Sequence, residues 1–307
     1  MGKIFDALTK SKKERNITVA ANKTPDTSSF KKAAVLNKDN KPFTFSHKAP
    51  DNAKDDKPKK HVASFKANEV LYDDNNINKH LITLLKPQSF EAEQFKLLRT
   101  NLLFPASGKP ARSVMVTSAV PGEGKSFVAA NLAISIAQGI QEHVLLMDCD
   151  VRLPSIHTRF GFGDVPGLSE HLSNDMPLSS MLLKTKVDKM SILPGGKPPH
   201  NPSELLSSQQ MSKLFKEVKD RYSDRYIIID TPPPKLTAET NVIARQVDGI
   251  ILVVRYGSTN REVVKDLIKI IGKEKILGVI FNRFDTRSSS YYGYKKYGKY
   301  GKYYGKY

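Results

Sequence analysis

The sequence predicts an α/β fold, a doubly wound and mostly parallel sheet with helices on both faces, and three observations predict it. Short runs of Val, Ile, Leu and Met recur through the last two thirds of the chain without polar alternation, as in strands buried on both faces. Segments with apolar residues at helical spacing separate them, so strand and helix alternate. Several runs end in Asp or in a glycine-rich turn, where open α/β sheets bind ligands.

In chain order, residues 3–13 have the spacing of a short helix. Residues 16–78 are rich in Lys, Asp, Asn, Ser and Pro and hold no lasting period, the composition of a disordered linker. Order is expected from about His80. Pro87 and Ser89 precede a helix in which Phe90, Phe95, Leu98, Leu102 and Leu103 recur at helical spacing, to about Phe104. Strands are expected at 113–117, 144–147, 191–193, 226–229, 249–254 and 277–281, with helices chiefly at 125–138, 208–221, 238–246 and 261–271. The division that follows is a basic N-terminal segment over 1–79, a globular domain over 80–287 and a tail over 288–307.

The 307 residues include 49 Lys and Arg against 31 Asp and Glu, a net charge of +18. Residues 1–86 carry +8 and residues 291–307 carry +5, so the long central part has an ordinary balance between two basic ends. Such ends suit an anionic membrane surface or an acidic partner as well as nucleic acid, and charge alone does not choose. No apolar run reaches the roughly 20 residues of a membrane span. The start of the chain lacks the apolar core and cleavage site of a secretory signal, so a cytoplasmic location is expected. The single cysteine, Cys149, excludes an internal disulfide, and the seven histidines lack metal-ligand spacing, which argues against zinc and iron–sulfur chemistry.

The first strand runs into SAVPGEGKSFVAANLAISIA. Gly122 and Gly124 let the backbone pass close to a ligand, and Lys125 and Ser126 open an amphipathic helix. Amide groups and a helix N-terminus so placed cradle phosphates, with Lys125 on the β and γ phosphates and Ser126 on Mg²⁺. Ala119 stands where the G-x-x-x-x-G-K-[ST] pattern has its first glycine. Pro121, Glu123 and Phe127 complete the expected nucleotide contacts. The second strand ends in LLMDCDVRLPS, presenting Asp148 and Asp150 with Arg152 beyond; a third, YIIIDTPPP, ends in Asp230. A lone strand-ending Asp is as often a cap or turn former, whereas three converging on one Lys/Ser loop point to a phosphate and metal site.

AVPGEGKS, LLMDCDVR and IIIDTPP resemble the Walker A, A-prime and B motifs of the bacterial protein-tyrosine kinases that accompany polysaccharide synthesis and export. The resemblance spans about residues 80–290 and continues into the tail, and the D-x-D-x-R spacing makes it specific. Related partition and cell-division ATPases carry an early Lys in K-G-G-x-G-K; Val120 and Pro121 stand there instead. The alternative is nevertheless a non-kinase phosphate-loop ATPase switch of the partition or positioning type, and a third reading is a catalytically weak scaffold of an export machine.

The resemblance implies a P-loop kinase using ATP and Mg²⁺. Lys125 would neutralise the β and γ phosphates, Ser126 and Asp150 hold Mg²⁺, Asp230 fix its waters, and Asp148 act as base toward a tyrosyl hydroxyl. Asn282 matches a position that reads adenine, though an Asn at a strand end is as often a turn residue. The 90–104 helix resembles the family's oligomerisation helix with its E-x-x-R-x-x-R pattern; Glu93, Lys96 and Arg99 occupy it, and Lys96 lacks the planar fork of Arg.

The tail holds Tyr291, Tyr292, Tyr294, Tyr297, Tyr300, Tyr303, Tyr304 and Tyr307, eight of the twelve tyrosines, with five Lys and four Gly. Such a segment has no aliphatic residue to pack. It resembles the family's autophosphorylated cluster and makes a nucleic-acid arm the lesser reading. The family further implies a transmembrane chain-length regulator as activator, a cognate tyrosine phosphatase, a homo-oligomeric ring and a peripheral place at the membrane. The charge of the basic first 86 residues is expected to add weak attraction to anionic lipid.

Overall fold

The computed structural model describes residues 72–221, 225–235 and 237–284. The expected helix at 3–13, nearly all of the expected linker and all eight tail tyrosines lie outside the described residues.

A seven-stranded sheet is built from β2 (Ser113–Ser118), β3 (His143–Asp148), β5 (Leu183–Lys184), β6 (Met190–Leu193), β7 (Arg225–Asp230), β8 (Gly249–Arg255) and β9 (Ile276–Asn282), in the order β5-β6-β3-β7-β2-β8-β9. All neighbours are parallel except β5 and β6. The expected strands are therefore present, each within about two residues of its expected bounds. Uninterrupted burial of β2, and of β3 and β7 after their first residues, accounts for the unalternating sequence pattern.

One face of the sheet carries α1 (Ile82–Leu85), α2 (Phe90–Leu103) and α3 (Lys125–Ala137). Helix α3 is buried from Val128 to Ala137, which its Ala-rich sequence permits by letting α2 and the sheet approach closely from either side. Buried Asn131 accepts from the Thr83 amide at 2.9 Å and donates to the His80 and Phe127 carbonyls, each at 2.9 Å, pinning α1 to α3. The other face is covered by α8 (Gln209–Arg221), α9 (Ala238–Gln246) and α10 (Arg261–Ile271), through Met211, Leu214, Phe215, Ile243 and Leu267. Each face buries its own apolar core.

The described fold begins earlier than the expected start near His80. β1 (Tyr72–Ile77) pairs antiparallel with β4 (Phe160–Phe162) in a separate two-stranded sheet. Its YDDNNI sequence has no strand period, and pairing with the FGF segment supplies what its own pattern lacks. Between β3 and α8 lie the short helices α4 (Ile156–Arg159), α5 (Leu168–Asn174), α6 (Leu178–Met181) and α7 (Pro202–Leu206), too brief for a helical period to show.

Candidate active site

Strand β2 delivers the loop 118–124 at the carboxyl end of the sheet's middle, where chain connections run one way to β3 and the other to β8. Gly122 and Gly124 have φ of 77° and 97°, in the left-handed region that only glycine enters freely. At Gly124 a Cβ would also lie 2.1 Å from Asn282 Nδ2. That amide instead donates to the Glu123 carbonyl at 2.7 Å, and Asn282 Oδ1 accepts from the Arg283 amide at 2.8 Å. Asn282 thus braces the phosphate loop, a contact that its place far along the chain does not signal, and both ends of its amide are engaged in this arrangement.

Asp148 and Asp230 are partners across β3 and β7, and both are fully buried. Asp148 Oδ2 accepts from the Ser155 and Ile156 amides at 2.8 and 3.0 Å, and Oδ1 from the Asp150 amide at 3.2 Å. The start of α4 is therefore held by this carboxylate. Burial and the Asp230 charge nevertheless push Asp148 up to about 7, the amides of Ile156 and Ser155 working in the opposite sense. Asp230 has no hydrogen-bond partner on either carboxylate oxygen. Burial raises it to about 6, against the pull of Lys125 and Ser126. Cys149, next after Asp148, is fully buried in the core under α8 to α10, its thiol pushed far up by burial and then by the charges of Asp148, Asp230 and Asp150, which makes it a poor nucleophile.

Asp150 is 8% exposed and pairs with Lys125, Nζ to Oδ2 at 3.2 Å. Lys125, Ser126, Asp148, Asp150 and Asp230 therefore lie together at the carboxyl end of the sheet. The expected oligomer residues lie elsewhere, on α2: Lys96 pairs with Glu93 of its own helix at 2.6 Å, and Arg99 donates to the Ser135 carbonyl of α3 at 2.8 Å.

Two features escaped the sequence reading. Arg152 Nε binds Glu239 Oε1 at 2.9 Å, and the Ser203 hydroxyl accepts from Arg152 Nη2 at 3.1 Å while donating to Glu239 Oε2 at 2.7 Å. The turn after β3 is thereby tied to α7 and α9, through residues too far apart in sequence to signal it. The second is the Glu123 side chain, 1% exposed, which accepts from four donors around the loop.

Over residues 109–295 the chain matches the ParA family model, described as NUBPL iron-transfer P-loop NTPase. The kinase domain of Escherichia coli tyrosine kinase ETK superimposes with a TM-score of 0.63 at 31% identity, covering 70% of this chain and 84% of that one. Tyrosine-protein kinase YwqD of Bacillus subtilis is 35% identical over 222 residues, 72% of this chain and 92% of that protein. The chain belongs to the bacterial tyrosine-protein kinases. Similarity extends to CpsD of Streptococcus agalactiae serotype III, a tyrosine-protein kinase 36% identical over 65% of this chain and 85% of its own length. The kinase thus has a ParA-type P-loop fold, and its nucleotide-binding loop is that of an enzyme that phosphorylates tyrosine. Among the described residues, no helix is long and apolar enough to cross a membrane.

Proposed function

We propose that this kinase phosphorylates the tyrosines of its own tail, in trans between like chains, and that it serves polysaccharide synthesis and export beside a transmembrane chain-length regulator. One observation carries the autokinase reading. Asn282, at the end of β9, touches Glu123 of the phosphate loop, so the last described strand before the eight-tyrosine segment of the sequence ends at the lip of the site. Extended at ~3.3 Å per residue, the last 17 residues span roughly 55 Å, enough to enter a neighbouring chain's site.

Mg²⁺ fits the residues present. Asp230 offers two buried, unbonded oxygens, and Ser126 and Asp150 add further hard oxygen donors. No three His, Cys, Asp or Glu side chains among the described residues form a metal-holding cluster of their own, which agrees with an ion held jointly with phosphate oxygens. The ion would supply charge neutralisation on the transferred phosphoryl group. Lys125, once turned from Asp150, places its ammonium on the β and γ phosphates. Asp148 Oδ1, which accepts one amide against two on Oδ2, retains a lone pair for the tyrosyl proton. Because Asp148 is fully buried, the tyrosyl side chain reaches Oδ1 only when the turn 149–155 opens.

The domain limits expected from the sequence, kinase over 80–287 and substrate tail beyond, remain part of this proposal, with the 72–77 strand added at the front. The ring through α2, the resetting phosphatase and the contact with anionic lipid belong to it too. The test mixes a full-length Lys125→Met chain with an active chain lacking residues 291–307, in labelled ATP and Mg²⁺. Label on the inactive chain is the expected result, and its absence sinks transfer in trans. Adding the cytoplasmic segment of a membrane regulator should raise the rate; an isolated chain already at its maximum counts against that partner.

A further inference from the structure

Glu123 presents a puzzle of charge. A carboxylate inside a loop that receives a polyphosphate is electrostatically unfavourable, and burial adds a cost unless every lone pair is used. Here they are used. Oε2 accepts from the Ala119 and Val120 amides at 2.8 and 3.1 Å, and Oε1 accepts from the Arg255 amide at 3.3 Å and from the Thr259 hydroxyl. The first two donors are the backbone groups that leave the sheet where β2 gives way to the loop, at the position where Ala119 replaces the pattern's first glycine. The other two belong to the end of β8 and the turn that leads into α10.

We infer that Glu123 is a positioning residue for the nucleotide: its carboxylate fixes the entry of the phosphate loop and fastens that loop to the β8–α10 turn. Ala119, unlike glycine, resists the backbone conformations that a tight loop entry can demand, so the shape is held by an acceptor placed on its amide and the next. Thr259 carries the tie to the turn, and the Glu123 carbonyl carries a second tie to Asn282 on β9. Three strand ends thus converge on one residue. The amides of 122–126 keep their aim at the phosphates because the side chain of Glu123 faces elsewhere. The inference rests on reading this loop as the nucleotide site.

Glu123→Gln separates geometry from charge. The amide has the same shape and lacks the repulsive charge, but it brings an NH₂ group against donors. If charge dominates, ATP binds more tightly in the variant. If geometry dominates, ATP KM and the Kd of a fluorescent ADP analogue rise about tenfold, as expected for one lost charge-assisted bond and an unsatisfied donor, with a smaller change in kcat. Thr259→Val removes one donor from the same knot and should raise KM about threefold, with no further rise when added to Glu123→Gln. Unchanged or tighter binding in Glu123→Gln overturns the inference. Should that variant fail to fold, Thr259→Val decides alone, and an unchanged KM there overturns it. Lys125→Met is carried alongside: loss of the ADP analogue there, with wild-type binding in Glu123→Gln, removes the inference only, whereas undiminished binding in Lys125→Met removes the site assignment beneath it.

Discussion

Asp148 and Asp230 end neighbouring strands, lie in register and are equally buried, yet one carboxylate accepts three backbone amides and the other accepts none. Three backbone amides point at Asp148, because the chain turns after β3 and starts α4 against it. After β7 the run Thr231 to Pro234 leads away, and prolines have no amide to offer. The same residue at equivalent places therefore becomes an anchor of the fold in one strand and a buried, unbonded carboxylate in the other. A buried carboxylate without partners is retained only where a ligand completes it.

The largest effect should come from removing the cation that most offsets the burial of Asp230. Lys125→Met is expected to lower tyrosine phosphorylation by about a thousandfold or more, with the fold intact, since it deletes the charge proposed to meet the phosphates and no core contact. Phosphotyrosine yield and circular dichroism check it; undiminished label sinks the site.

Next, the same substitution at the two acids should act on stability with opposite sign. Asp230→Asn removes a buried charge that accepts no hydrogen bond, so the nucleotide-free chain should gain about 1–3 kcal/mol and melt a few degrees higher, while Mg²⁺-dependent turnover falls about 10–100-fold. Asp148→Asn brings an NH₂ group against backbone donors and should lose about 1–2 kcal/mol, with turnover largely lost and nucleotide retained. Thermal melts of both variants without nucleotide decide it. If both move the same way, the contrast between anchor and ligand-holder is wrong, and loss of nucleotide from Asp148→Asn would make that residue chiefly a metal holder.

This contrast also marks how far the sequence could be read. Strand-ending acids at 148, 150 and 230, a Lys/Ser loop and unalternating strands were legible because burial on both faces and phosphate chemistry restrict residue types locally. Which acid is bonded was not, since the donors come from Ser155 and Ile156, beyond a turn whose course depends on α4 packing. For the same reason the strand at 72–77 was missed: it has no period of its own and exists through its pairing with Phe160 and Phe162. Glu123 stood in plain view within the loop, but half of its donors, Arg255 and Thr259, lie far along the chain.

The smallest effect concerns an acid bonded like Asp148 but set in water. Asp248 accepts from the Ser113 and Arg112 amides at 2.9 and 3.2 Å, and Lys219 Nζ lies 2.6 Å away. Burial alone would raise its carboxyl, yet the bonds from Lys219 and Ser113 outweigh that and hold it below its ordinary value of 3.8. In the folded chain it therefore binds fewer protons than in the unfolded chain as pH falls toward that value. Its stabilisation is present above the ordinary value and fades as pH drops through the lower, folded one. Because the carboxyl is 37% exposed, screening reduces the gain to about 1 kcal/mol or less. Denaturant midpoints should accordingly separate wild type from Asp248→Asn at pH 7 and draw together as pH falls below 3.8. A gap that stays constant over that range would mean that packing, rather than the bonded charge, holds the start of β2.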